Sequence, residues 1–347
     1  MNYEEIIGKI KPIDKDSMEK TQKKLDNLTK PPGSLGRLEE LAKEIAGMKE
    51  TSNPSISKKA IFTFAGDHGI TDEGVSAYPK TVTAQMVYNF VRGGAAINVL
   101  SKAIGAELIV ADLGVAEDIF SDRVIIKKVG YGTNNFCKGP AMTRENAIKS
   151  INYGIEIFNQ FGPYDIIGIG EMGIGNTTPS SAIASVFTDA PVEDVTGRGT
   201  GVGDEAYKNK VRIIKKSIEL NKPDKNDPID VLSKIGGYEI GGLVGVVLAA
   251  AMKRTPVVID GFISTSAALI ASKMNSNVSG YIIPSHNSVE IGHIKMLEQM
   301  KKKPLFELDM RLGEGTGAVI GISICEMSLK LLNEMATFDD AGVSKKN

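Results

Sequence analysis

The segment Pro304-Leu305-Phe306-Glu307-Leu308-Asp309-Met310-Arg311-Leu312-Gly313-Glu314-Gly315-Thr316-Gly317-Ala318 decides the fold class. Residues 304–308 read as a short strand, the glycines after Arg311 as a tight turn, and residues 318–338 as a long helix. A strand end, a glycine-rich turn and a helix start form the unit from which α/β enzymes are assembled, with ligands placed beyond the strand end. Glu314 stands between two glycines, which let a ligand approach closely and offer no side chain to pair its carboxylate. Beside Leu312, partial burial would raise its proton affinity, as a general base requires. Taken alone, a Gly-Glu-Gly turn reads as a surface acid. The rest of the chain reverses that reading.

Outward from this segment the same unit recurs. Short aliphatic runs at 60–65, 107–113, 164–169, 256–260 and 278–283 read as strands, most of them nearly continuous in hydrophobicity, as strands covered on both faces must be. Helical patterns over 81–91, 143–161, 204–220, 239–252 and 288–300 fall among them. The alternation predicts an α/β, doubly wound, largely parallel sheet. Residues 1–50 look helical and rich in charge. There Lys30-Pro31-Pro32-Gly33 is a stiff connector, and Ser34 is expected to cap a helix carrying Leu35, Leu38, Leu41 and Ile45.

Composition narrows the function classes. The 41 basic and 42 acidic residues nearly cancel, so no global field attracts nucleic acid or an anionic membrane. Two cysteines, Cys137 and Cys325, and three histidines among 347 residues show no metal-ligand spacing and no disulfide framework. The longest apolar run, residues 243–252, is too short to span a bilayer. With no basic, apolar leader at the N-terminus, the expectation is a soluble cytoplasmic protein. Residues 344–347 read as a frayed tail.

The strand ends carry the chemistry. Gly66-Asp67-His68-Gly69 reads as a loop fixed by hydrogen bonds rather than as a metal site. Tyr78, Gln85 and Met86 would suit one wall of a flat apolar pocket. Gly168, Gly170 and Gly173 have the spacing of a dinucleotide fingerprint, but Glu171 would then face a pyrophosphate, an electrostatic mismatch. The sequel Gly173-Ile174-Gly175-Asn176-Thr177-Thr178 suits one phosphate or a ribose better. Thr196-Gly197-Arg198-Gly199-Thr200-Gly201, followed by a helix bearing Lys208 and Lys210, forms a second anion loop. Asp260-Gly261-Phe262-Ile263-Ser264-Thr265-Ser266 and Ser285-His286-Asn287-Ser288-Val289-Glu290 repeat the pattern of strand, polar turn and helix start. Two rivals compete with a transferase reading: an NAD-dependent oxidoreductase and a non-catalytic nucleotide-binding protein.

These motifs, in this order from Lys30-Pro31-Pro32-Gly33-Ser34-Leu35-Gly36-Arg37 to Arg311-Leu312-Gly313-Glu314-Gly315-Thr316-Gly317, resemble the nicotinate-nucleotide–dimethylbenzimidazole phosphoribosyltransferase family over essentially the whole chain. The resemblance implies transfer of the phosphoribosyl group of nicotinate mononucleotide to a benzimidazole nitrogen. It gives Glu314 as the base and Glu171 as a second carboxylate at the reaction centre. Tyr78, Gln85, Met172 and Leu312 resemble the base pocket. Gly173, Gly175, Asn176, Thr177, Lys210, Ser264 and Ser288 are expected on the phosphate and ribose side. The resemblance also implies a Rossmann-like sheet (56–317), a small helical domain from both chain ends (1–55 and 318–347), a homodimer, and no cofactor or metal. Met172 stands where leucine is expected in some relatives, which leaves the preferred aromatic base open.

Overall fold

The computed structural model describes residues 1–199, 201 and 203–344. Thr200 and Val202 of the second anion loop, and residues 345–347 of the expected tail, lie outside the described residues. The sheet has six strands in the order β3-β2-β1-β4-β5-β6, all parallel: β1 Lys59–Gly66, β2 Glu107–Gly114, β3 Ile125–Ile126, β4 Ile166–Met172, β5 Val257–Ile259 and β6 Ile282–Pro284. The order reverses between β1 and β4, which opens a crevice at the carboxyl ends of the strands.

The period of two explains which residues face which layer. On β1, Phe62 and Phe64 turn toward one face, where Phe64 packs on the apolar Tyr238–Met252 helix at Gly242 and Phe62 meets Phe158 and Tyr164. Ile61 and Thr63 turn toward the other, beside Gly168 and Gly170 of the paired strand β4. That face receives the Thr316–Glu334 helix. A Cβ on Gly168 would lie 2.9 Å from Ala318 Cβ, and one on Gly170 would lie 2.2 Å from the Gly315 nitrogen. Both glycines belong to the strand, so their spacing serves close packing of helix and turn rather than a pyrophosphate loop.

Several expected boundaries move. Residues 304–308 form no strand; Phe306 makes a single parallel bridge to His286, and Asn287 N donates to its carbonyl at 3.0 Å. The 278–283 run shortens to β6 because residues 276–281 coil into a 3₁₀ turn. The helix expected over 288–300 is Gly292–Gln299, since residues 289–291 form a bend and a turn. The first anticipated helix start also shifts: Gly36, not Ser34, precedes the Arg37–Lys49 helix. Successive turns from Pro31 to Gly36 consume the segment, and Glu39 accepts the Leu35 amide at 2.9 Å while pairing with Lys30 at 2.8 Å. The strand Ile125–Ile126, which sequence reading passed over, is too short for a periodic signal. Among the described residues no helix is long and apolar enough to cross a membrane. Cys137 and Cys325 are both buried and unbonded.

Candidate active site

A cavity of about 390 Å³ opens at the carboxyl ends of β4, β5 and β6. Its walls include Tyr78, Met86, Glu171, Met172, Gly173 and Asn176 on one side, and Ser288, Glu290, Arg311, Leu312 and Glu314 on the other. Of the residues singled out by sequence, Tyr78, Met172 and Leu312 line it together with both glutamates, Gly173, Asn176, Thr177 and Ser288. Gln85 is exposed and outside the lining; its neighbour Met86 lines the wall instead, because Tyr78, Val82 and Met86 follow each other at four-residue spacing. Gly175, Lys210 and Ser264 stand behind the wall. Gly175 has φ +88° and packs on Thr71, and the Ser264 hydroxyl donates to the Ile169 carbonyl at 3.2 Å, tying a helix start to β4.

Glu171 is the last residue but one of β4 and is buried. One of its oxygens accepts from Asn176 Nδ2, and the other lies against Gly313, where a Cβ would come within 2.6 Å. Burial, reinforced by the negative charges of Asp260 and Glu239, pushes its pKa up to about 8. Glu314 sits in a turn where Gly313, Glu314 and Gly315 all have positive φ, at 87°, 65° and 99°. Its carbonyl accepts from the Thr63 hydroxyl at 2.8 Å, and its Oε2 is buried without a hydrogen-bond partner. Burial raises its pKa as well, the Ile97 amide opposing and Asp260 adding to the shift.

Asp260, just after β5, holds that turn. Its two carboxylate oxygens accept from the Gly315 amide at 2.9 Å and the Gly317 amide at 2.7 Å, the first free amides of the Thr316–Glu334 helix. His286 Nε2 stands 3.5 Å from the same carboxylate, with its ring stacked on Phe306. Gly317 must be glycine for this to close, because a Cβ there would meet His286 at 2.4 Å and Asp260 at 2.6 Å. Asp260 and His286 stand within the strand-end motifs 260–266 and 285–290, where neither residue has a role legible from sequence. The signal available was an aspartate at a strand end followed by glycine.

The Asp67-His68 pair is structural in its contacts. His68 Nε2 lies 2.6 Å from Glu239 Oε1, both fully buried, and Asp67 Oδ2 accepts the Ala116 amide at 2.8 Å. This pair stands directly behind Gly173, whose missing side chain leaves room for His68 and the Gly66 carbonyl. Among the described residues no group of three or more potential metal ligands converges. Lys210 is buried; its ammonium donates to Thr177 Oγ1 at 2.8 Å and Gly197 O at 3.4 Å, and burial lowers its pKa to about 8.

Comparison with known proteins places this geometry. A phosphoribosyltransferase family model matches residues 10–343. The nicotinate-nucleotide–dimethylbenzimidazole phosphoribosyltransferase of Geobacter sulfurreducens is 52% identical over 345 residues, covering 98% of both chains. The protein of the same name from Dehalococcoides mccartyi is 52% identical over 343 residues, covering 98% of this chain and 97% of that one. Among solved structures, the enzyme of that name from Thermus thermophilus superposes with a TM-score of 0.92 at 36% identity, over 96% of this chain and all of that one.

Proposed function

The chain belongs to the nicotinate-nucleotide–dimethylbenzimidazole phosphoribosyltransferase family, and from that membership we propose that it moves the phosphoribosyl group of nicotinate mononucleotide to 5,6-dimethylbenzimidazole or a related base. The products are α-ribazole 5′-phosphate and nicotinate, for assembly of the nucleotide loop of cobalamin. The observation that carries the reading is one cavity holding two buried glutamates, an apolar wall of Tyr78, Met86, Met172 and Leu312, and Gly173, Asn176 and Thr177 of the polar loop after β4.

The substrate carries its own leaving group, a pyridinium that departs as a neutral ring. The benzimidazole nitrogen forms a bond to C1′ as the C1′–pyridinium bond breaks and its electron pair returns to the nicotinate ring. Glu314 takes the benzimidazole N–H proton, a role suited to a carboxylate with raised proton affinity and an unpaired oxygen. Glu171 holds a proton in the empty site below about pH 8. A bound pyridinium, and then the oxocarbenium-like ribose, favours its charged form, so its negative charge develops where positive charge does. Direct displacement inverts C1′ from β to α. Asn176 and Thr177 meet the ribose and phosphate. Gly175, Lys210 and Ser264 support that side from behind, and Met86 takes the place at the base expected for Gln85, which lies outside the lining.

The wider reading has three further parts. Residues 1–55 and 318–347, the last three outside the described residues, are read as a small helical domain beside the 56–317 domain; the Leu28–Thr337 bridge and the Ser328–Leu38 hydrogen bond at 2.6 Å support the joining of the two chain ends, whereas the first turns of the Thr316–Glu334 helix pack on the sheet at Gly168. The protein works in the cytoplasm as a homodimer, supported by exposed apolar side chains such as Val99, Phe120 and Met327. It needs no cofactor or metal, no nucleic acid and no membrane.

The test is to incubate the pure protein with nicotinate mononucleotide and 5,6-dimethylbenzimidazole and to follow nicotinate and α-ribazole phosphate by chromatography. Turnover should fall by about 100-fold or more in Glu314→Ala. A fully active variant moves the base role elsewhere. No product from the native protein with any benzimidazole or purine overturns the reaction.

A further inference from the structure

Glu290 stands where an anion site would not be expected to hold a carboxylate. It lines the cavity, is only 8% exposed, and points into the glycine-rich loop that begins at Thr196. A Cβ on Gly197 would lie 2.0 Å from Glu290 Oε2, so the carboxylate fills the space that this glycine leaves. Burial raises its pKa, while the charge of Lys210, the Gly199 amide and the charge of Arg311 favour its ionised form. Among the described residues, Oε2 nevertheless has no hydrogen-bond donor and no ion pair within 4.0 Å joins Glu290 to a cation. Lys210 gives its hydrogen bonds to Thr177 and Gly197 instead.

The backbone around Glu290 is anchored while its side chain is under-satisfied. His293 N donates to the Glu290 carbonyl at 2.9 Å, Glu290 N donates to Ser288 Oγ at 3.4 Å, and Ser288 N donates to His293 Nδ1 at 3.0 Å. Rotation of the side chain alone would vacate the loop. A glycine loop, a buried lysine and an arginine suit a phosphate monoester, which offers three oxygens where the carboxylate offers two.

We propose that Glu290 is the resident anion of the empty enzyme, seated in the Gly197–Gly199 loop, and that the 5′-phosphate of the substrate displaces it on binding. This rests on the phosphoribosyl-transfer reading and adds a specificity role to it. Glu290 makes phosphate entry an exchange of one anion for another. It fills the loop beside Gly197 and offsets the charge of Lys210 when the site is empty, and it weakens retention of the phosphorylated product.

Titration calorimetry of inorganic phosphate into the whole protein tests this, alongside steady-state kinetics with nicotinate mononucleotide. In Glu290→Gln, which keeps shape and removes charge, the phosphate Kd should fall by about tenfold, the size of one removed like-charge contact. KM for nicotinate mononucleotide should fall in parallel, with kcat unchanged or lower. Lys210→Met should abolish phosphate binding in both backgrounds, which locates the titrated ion. Glu290→Ala gives the same readout if the glutamine variant does not fold. Unchanged or weaker phosphate binding, or a raised KM, overturns the proposal and makes Glu290 a substrate ligand or a loop brace. Tighter phosphate binding by Glu290→Gln, together with no nucleotide turnover by the native protein, would sink the transfer reading and leave the resident anion standing.

Discussion

Glu171 leaves a regular strand, paired in register with Phe64, whereas Glu314 leaves a turn in which three consecutive residues hold left-handed backbone. The strand imposes no conformational cost on Glu171; its cost is electrostatic, because burial and the charges of Asp260 and Glu239 resist its ionisation. Glu314 bears both kinds. A non-glycine residue at φ 65° costs about 1–2 kcal/mol, and its carboxyl is buried as well. The difference teaches how one cavity obtains two acids of unequal freedom. Packing tunes the first, and a strained turn aims the second, held by Asp260 on the Gly315 and Gly317 amides.

The most forceful way to break this comparison is to loosen the clamp. Asp260→Asn keeps one acceptor oxygen and removes the charge, so one of two amide bonds is lost and the turn carrying Glu314 shifts. The expected outcome is a drop in kcat of about 100-fold, with little change in KM, the scale set by a misplacement of about 1 Å. Asp260 also raises the proton affinity of both glutamates, so its neutralisation should move the acidic limb of the kcat–pH profile to lower pH. A fall in kcat with the limb unmoved would make Asp260 only a brace.

A smaller effect sharpens the Glu171 half. Its folded pKa of about 8 lies above the ordinary carboxyl value of 4.5. Between those values the folded chain keeps a proton that the unfolded chain has lost, so this group makes stability fall as pH rises from about 4.5 to 8. Glu171→Gln removes that slope. Its melting temperature should match the native protein near pH 4.5 and exceed it by about 3–6 °C at pH 8. Parallel melting curves across this window would show that Glu171 ionises without cost in the fold.

The sequence made the strand side of this contrast easier to read than the turn side. Continuous aliphatic runs identified β1, β2 and β4 because burial on both faces leaves a dense signal. The turn was visible as Gly-Glu-Gly, yet the strand expected before it is absent: residues 304–308 spend their hydrogen bonds on Ser285 and Asn287 instead of a ladder. Gly168 and Gly170 mimicked a dinucleotide loop because a strand meeting a helix and turn at close range selects glycine for the same steric reason. The Asp260 clamp and the Glu290 seat were illegible. Asp260 meets Gly315, and Glu290 meets Gly197, across long stretches of intervening chain, and no local period encodes such meetings.

The smallest effect separates conformational cost from electrostatic cost within Glu314 itself. Asparagine tolerates left-handed backbone better than glutamate does and carries no charge. Glu314→Asn should therefore stabilise the protein by about 0.5–1 kcal/mol from the backbone, while losing turnover. That backbone part is independent of pH. The part owed to the buried carboxyl follows the same sign as for Glu171, since its folded pKa is also raised, and it grows with pH above 4.5. Urea denaturation at pH 5 and pH 8 divides the two: a gain that persists at pH 5 belongs to the turn, and a gain confined to pH 8 belongs to charge. In the second case the turn costs Glu314 nothing, and the two glutamates would differ only in which neighbours resist their ionisation.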